Sequence, residues 1–131
     1  MKIYWLNPVS DSFFVAADWN TDQVPGNADI AAMTIAGTYT VTDSLNTSVL
    51  GITTGASTTF ALAGGTTFTA TEGTATGANR GQVALGNGSE FNIGGTFDNI
   101  GSIAINGSSV TTYLTFLNSA LRDLMTAIVG S

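Results

Sequence analysis

The chain has 131 residues, enough for one domain with a real core. Only 9% of them are charged, against roughly 25% in ordinary soluble domains, and the net charge is −6 with Lys2, Arg80 and Arg122 as the whole basic complement. This excludes the clustered Lys and Arg that a nucleic-acid binder needs to displace counterions, and argues against an anionic membrane surface as partner.

Residues 1–32 read as an irregular N-terminal cap region. They hold both Trp residues, both Pro residues and the acids Asp11, Asp18, Asp22 and Asp29. Phe13, Phe14 and Val15 form a short strand or part of the cap, and Val24-Pro25-Gly26-Asn27 is a turn signal. From Met33 the chain becomes periodic and a β-solenoid body is expected over 33–110. Met33-Thr34-Ile35 and Tyr39-Thr40-Val41 alternate, and the polar stretch Asp43 to Ser48 reads as a loop. Val49 to Ile52, Thr59 to Leu62 and Thr67 to Thr71 follow as short strands. Glu72 to Arg80 has no large apolar residue and reads as an exposed loop. Val83 to Leu85, Phe91 to Ile93 and Ile103 to Ile105 complete the series. Gly and Thr suit this pattern, because Thr favours the pleated surface and Gly the positive φ of turns.

The last segment changes period. Tyr113, Leu114, Leu117, Leu121, Leu124, Met125 and Ile128 fall along one face of a helix expected from about Thr112 to Val129 within a terminal unit 111–131. Such a helix would cover the open end of the β-stack, where unpaired backbone invites aggregation.

One phrase recurs three times: Leu50-Gly51-Ile52-Thr53-Thr54-Gly55-Ala56, Val83-Ala84-Leu85-Gly86-Asn87-Gly88 and Ile103-Ala104-Ile105-Asn106-Gly107. Each has two apolar residues around a small one, then a turn. Recurrence of this kind is the signature of stacked coils, each burying its apolar face against the next. The copies start 33 and then 20 residues apart, so some coils carry insertions. The expected core is Ile35, Val41, Leu50, Ile52, Phe60, Leu62, Phe68, Val83, Leu85, Phe91, Ile93, Ile103 and Ile105.

Trp19-Asn20 followed by Val24-Pro25-Gly26 and Asp29, then Tyr39-Thr40-Val41-Thr42, Leu50-Gly51-Ile52 and Phe97-Asp98-Asn99-Ile100-Gly101-Ser102-Ile103, resembles the β-solenoid repeats of large autotransporter-like and haemagglutinin-like adhesins of Gram-negative bacteria. The resemblance spans roughly residues 18–109. It implies an all-β fold, a short right-handed parallel β-helix, serving as a stalk or passenger segment. The short length and the C-terminal helix depart from that pattern and suit a small self-assembling or capped module.

Chemistry-bearing residues are few. Cysteine and histidine are both absent, which removes disulfides, thiolate chemistry and the commonest general base. Asp18, Asp22 and Asp29, with Asn20 and Asn27 between them, offer the oxygens that Ca²⁺ prefers, without the EF-hand spacing. The same residues equally suit a solvated loop in which Asp and Asn bond their own backbone. Trp5 and Trp19 are either sugar-stacking platforms or core. Asn99, beside Asp98, is placed to bond its counterparts on successive coils. Glu72 and Glu90 are too isolated to read as an acid–base pair, and the alternating Thr residues read as outward strand formers. No stretch of about 18 apolar residues exists, so no membrane-inserting helix is expected. Met1 to Leu6 lacks the apolar run of a signal peptide, so any export leader would lie outside this chain.

The composition, free of Cys and poor in Lys, is common in bacterial exported repeat proteins and points to an extracellular or cell-surface location. The sequence therefore reads as a non-enzymatic structural or adhesive surface domain that self-associates end to end, with no cofactor. The alternative is a carbohydrate-binding module with a Ca²⁺ loop near its N-terminus.

Overall fold

Strict alternation decides the local structure. In Tyr39–Asp43 the residues Tyr39, Val41 and Asp43 are buried while Thr40 and Thr42 are half-buried, and Thr58–Leu62 repeats the pattern. Period-two burial of this kind puts one face of each strand inward. The structure, a computed structural model, describes residues 1–105 and the backbone of Tyr113–Phe116. Its strands are β1 (Lys2–Tyr4), β2 (Asp11–Ser12), β3 (Ile30–Met33), β4 (Tyr39–Asp43), β5 (Thr47–Val49), β6 (Gly51–Thr54), β7 (Thr58–Leu62), β8 (Thr67–Ala70), β9 (Gln82–Leu85), β10 (Glu90–Ile93), β11 (Ser102–Ile105) and β12 (Tyr113–Phe116).

These strands form three sheets, and every ladder between them is parallel. The first sheet is β1-β3-β6, the second β2-β4-β7-β9-β11 and the third β5-β8-β10-β12. From β3 to β8 the chain visits first, second and third sheet in turn and climbs one level per round. Beyond β6, among the described residues, the first-sheet side is marked only by isolated parallel bridges at Gly73, Asn79, Thr96 and Asn99, and this level-by-level climb makes the fold a β-solenoid. On the second sheet Asp11, Val41, Phe60, Val83 and Ile103 stand in register, at steps of 30, 19, 23 and 20 residues. On the third, Thr47, Phe68, Phe91 and Leu114 do the same.

The repeated phrase is only partly a structural repeat. Val83 and Ile103 are true neighbours on the second sheet, but Ile52 lies on the first sheet over Ala31. The residue below Val83 is Phe60, which the phrase did not mark. In the same way Val49, not Leu50, points into the core from the third sheet; Leu50 is half-buried. Ile35 and Ile105 pack only partly against the core, and the other expected core residues are buried.

An aromatic column runs through the interior. Trp5, Trp19, Phe13, Phe60, Phe68, Phe91 and Phe97 form an unbroken chain of ring contacts with centroids 4.8 to 6.0 Å apart. Most are edge-to-face, and Phe68 and Phe91 stack within 17° of parallel. Such geometry satisfies the ring quadrupoles while burying large area.

The N-terminal region belongs to the stack rather than preceding it, because β1 pairs with β3 and β2 with β4. The outer edge of β1 is closed by the chain itself. Residues 18–20 run antiparallel to residues 4–6, with Leu6 N–H donating to the Asp18 carbonyl at 2.9 Å and Asn20 N–H to the Tyr4 carbonyl at 2.8 Å. The Asn20 side chain accepts from Tyr4 N–H at 2.9 Å as well. A short 3₁₀ turn, Ala16–Asp18, brings this strand-like piece round.

Two expectations need correction. Residues 72–80 are not simply an exposed loop: Gly73, Thr74, Ala78 and Asn79 are buried, and the segment lies on Gly51 and Thr53 at the outer side of the first sheet. Small side chains allow that close approach. At the chain's end, Tyr113–Phe116 pair with β10 as a strand where a helix beginning near Thr112 was expected. Thr, Tyr and Phe are strand formers, and the free edge of β10 supplies a full set of backbone partners. The remainder of the expected helix lies outside the described residues.

Phe68→Ala is expected to cost about 3–5 kcal/mol in urea unfolding, since Phe68 is fully buried between two levels. Thr69→Ala, the neighbouring outward position, should stay within about 0.5 kcal/mol. Equal costs would contradict the inward–outward assignment of β8.

Candidate functional site

The corner between the first and second sheets carries the polar machinery of the fold. Thr54, Asn79 and Asn99 sit above one another there, linked by parallel bridges. Thr54 donates its hydroxyl to Asn79 Oδ1. Asn79 Nδ2 donates to Asn99 Oδ1 at 2.7 Å and to the Ser102 carbonyl at 3.1 Å. The buried amide is thus fully used, as a buried polar group must be. This is the coil-to-coil role expected of Asn99. Immediately after it, Gly81 and Gly101 pass so close to the level below that a Cβ on Gly101 would strike the Gly81 carbonyl, and one on Gly81 the Thr58 carbonyl.

Beside this corner lies a lateral groove of about 550 Å³. Its walls come from five successive levels: Lys2, then Thr34 to Gly37, Thr53 to Ser57, Thr76 to Arg80, and Asp98. Thr76, Gly77 and Ala78, from the segment that lies over Thr53, form one side of it. Lys2 and Arg80 stand 78 positions apart in sequence, and only the winding of the chain brings them to one surface. Composition flagged both as rare cations, but no local pattern could have paired them.

The residues singled out as binding groups are placed differently. Trp5 and Trp19 are 2% and 0% exposed, with indole N–H groups donating to the carbonyls of Val9 and Phe13 at 3.1 and 2.9 Å. They are core and cap residues and offer no face to a sugar. Asp18, Asp22 and Asp29 do not converge. Burial, and then the neighbouring Asp11 carboxyl, hold the Asp18 carboxyl above the usual carboxylate range. Asp22 is exposed on a left-handed turn at φ 55°. Asp29 accepts from Gly26 N–H at 2.9 Å and faces the N-terminal amine at 3.5 Å. Among the described residues no three acidic, His or Cys side chains gather as a metal site. Glu90 accepts from the Thr67 hydroxyl at 3.1 Å on the next level, and Glu72 is exposed at the turn after β8.

Asp43 falls where the polar sequence suggests the start of a loop, yet it is fully buried at the end of β4. The alternation of Tyr39, Val41 and Asp43 was the available signal, since the third member of the series must also point inward. Its Oδ1 accepts from Leu45 N–H at 3.1 Å and from the Thr47 hydroxyl at 3.4 Å, while Oδ2 has no partner. Desolvation pushes this carboxyl up to about 6, the two hydrogen bonds opposing the rise.

The chain matches no family model, and no curated protein or solved structure matches it.

The Asp43 environment sets a pH dependence. The folded state holds this proton more tightly than the unfolded chain, so the group costs nothing below the ordinary value of 3.8 and its penalty is complete above about 6. Between pH 4 and 7.5 the loss from this carboxyl should approach roughly 2–3 kcal/mol. Asp43→Asn should flatten that part of the profile when the melting temperature is measured against pH beside the parent chain. Parallel profiles would contradict the assignment.

Proposed function

We propose that the chain is a non-enzymatic structural or adhesive surface domain, a stiff column that holds its lateral groove against a partner. The observation that carries this reading is that five successive levels build one groove. Its form is therefore locked to the parallel register, as a contact surface on a scaffold requires. The groups presented along it include the hydroxyls of Thr34, Ser57 and Thr76, one Lys, one Arg and one Asp. These hold a ligand through hydrogen bonds and charge.

The side of the column is taken as the contact; at its N-terminal end residues 18–20 bond the edge that runs from Tyr4 to Leu6, while β2 and β5 are the last strands of the other two sheets. A location on a bacterial surface accords with the resemblance of the repeats to adhesin solenoids. It also accords with a cysteine-free column whose stability comes from stacking alone.

The test is retention under flow. Beads carrying the full chain are expected to hold on glass coated with mucin or with fibronectin better than albumin-coated beads do. Ala56→Trp with Thr76→Trp, two exposed groove positions, should abolish the retention without changing the melting temperature. Retention no better than albumin, or unaffected by the two tryptophans, would overturn the reading.

A further inference from the structure

We propose that the lateral groove binds an acidic carbohydrate, with Lys2 and Arg80 receiving sugar carboxylates; this rests on the reading that the groove is the column's contact surface. Charge segregation is the first ground. Two of the chain's three basic residues line one groove in a molecule of net charge −6. Among the described residues, neither enters a salt bridge. Both are exposed, and Lys2 Nζ lies 5.6 Å from the Tyr4 ring centroid, a contact that uses none of its hydrogen-bond donors. Cations left unpaired on an acidic protein mark where an anion is attracted.

The lining between the cations narrows the anion to a sugar. Thr34, Ser57 and Thr76 present exposed hydroxyls along the groove. Asp98 at the far end would repel a uniform polyanion, but it accepts hydrogen bonds from sugar hydroxyls. The five levels, each about 4.8 Å above the last, make the groove long enough for several linked sugar units rather than one compact anion. An extended peptide fits less well. Strand β6 is bonded to β3 on one side, and on the other Ile52 and Thr54 N–H groups donate to Gly73 and Ala78, so no backbone edge is free for strand addition.

The experiment titrates the full chain with a short oligogalacturonate, with the matching neutral galactose oligomer and with polyglutamate. The oligogalacturonate is expected to bind and the neutral oligomer to bind at least about tenfold more weakly. Lys2→Gln and Arg80→Gln should each weaken binding by about fivefold, the scale of one exposed charge contact. Both side chains are exposed, so neither change threatens the fold. The proposal is overturned by no binding, by equal affinity for the neutral oligomer, by affinity unchanged in both variants, or by equal binding of polyglutamate. If the titration fails while the beads still hold, the acidic-sugar assignment falls and the groove remains the contact surface; if both fail, both readings fall.

Discussion

The in-register parallel stacking of one coil on the next is the constraint from which everything else follows. Phe60 must lie between Val41 and Val83, and Phe68 beneath Phe91, for the interior to be a continuous column. Because side chains alternate with period two, a slip of one residue on any level would turn its apolar set outward and its Thr residues inward. The burial pattern leaves no room for that: Phe60, Phe68, Val83 and Phe91 are all at or below 1% exposure. Backbone ladders supply the direction of the stack, and the aromatic chain from Trp5 to Phe97 supplies much of the buried area that stabilises it.

The corners carry a different load. A coil that turns between sheets leaves backbone groups unpaired unless something bonds them. Here the polar side chains do this, with Thr54, Asn79 and Asn99 tied from level to level and Thr74 receiving the Asp98 N–H at 3.0 Å. Gly81 and Gly101 allow the turns to nest. A composition poor in charge and rich in Thr, Asn and Gly follows from this division of labour, since few side chains need to reach far into water. Asp43 is a fully buried carboxyl with one oxygen unpartnered.

Much of this architecture could be read from the sequence because alternation is a local property. Tyr39–Asp43, Thr58–Leu62, Thr67–Ala70 and Glu90–Ile93 each announce their inward face within five residues. What could not be read was anything set by vertical register. The phrase at Leu50 looks like that at Val83, yet the two occupy different sheets, because the 33 residues between them are about one and a half coils of 19 to 23. Trp5 and Trp19 are typical of either a sugar platform or a core, and only the antiparallel closure of the first level decides between them. The groove was invisible for the same reason, as its cations meet through the winding of the chain. At Tyr113–Phe116 a helical spacing and a strand composition coexist, and the waiting edge of β10 settles the matter in favour of the strand.

Disulfide trapping tests the stacking most directly, because the chain has no native cysteine to interfere. Thr59 and Gln82 are register partners on adjacent levels of the second sheet, both at outward, half-buried positions. Neighbouring strands lie about 4.8 Å apart, inside the Cα separation a disulfide accepts. Thr59→Cys with Gln82→Cys should oxidise readily to an intramolecular bond in the native protein, while Thr59→Cys with Leu85→Cys, offset along the strand and facing inward, should not. Closure of the second pair in preference to the first would contradict parallel stacking in this register.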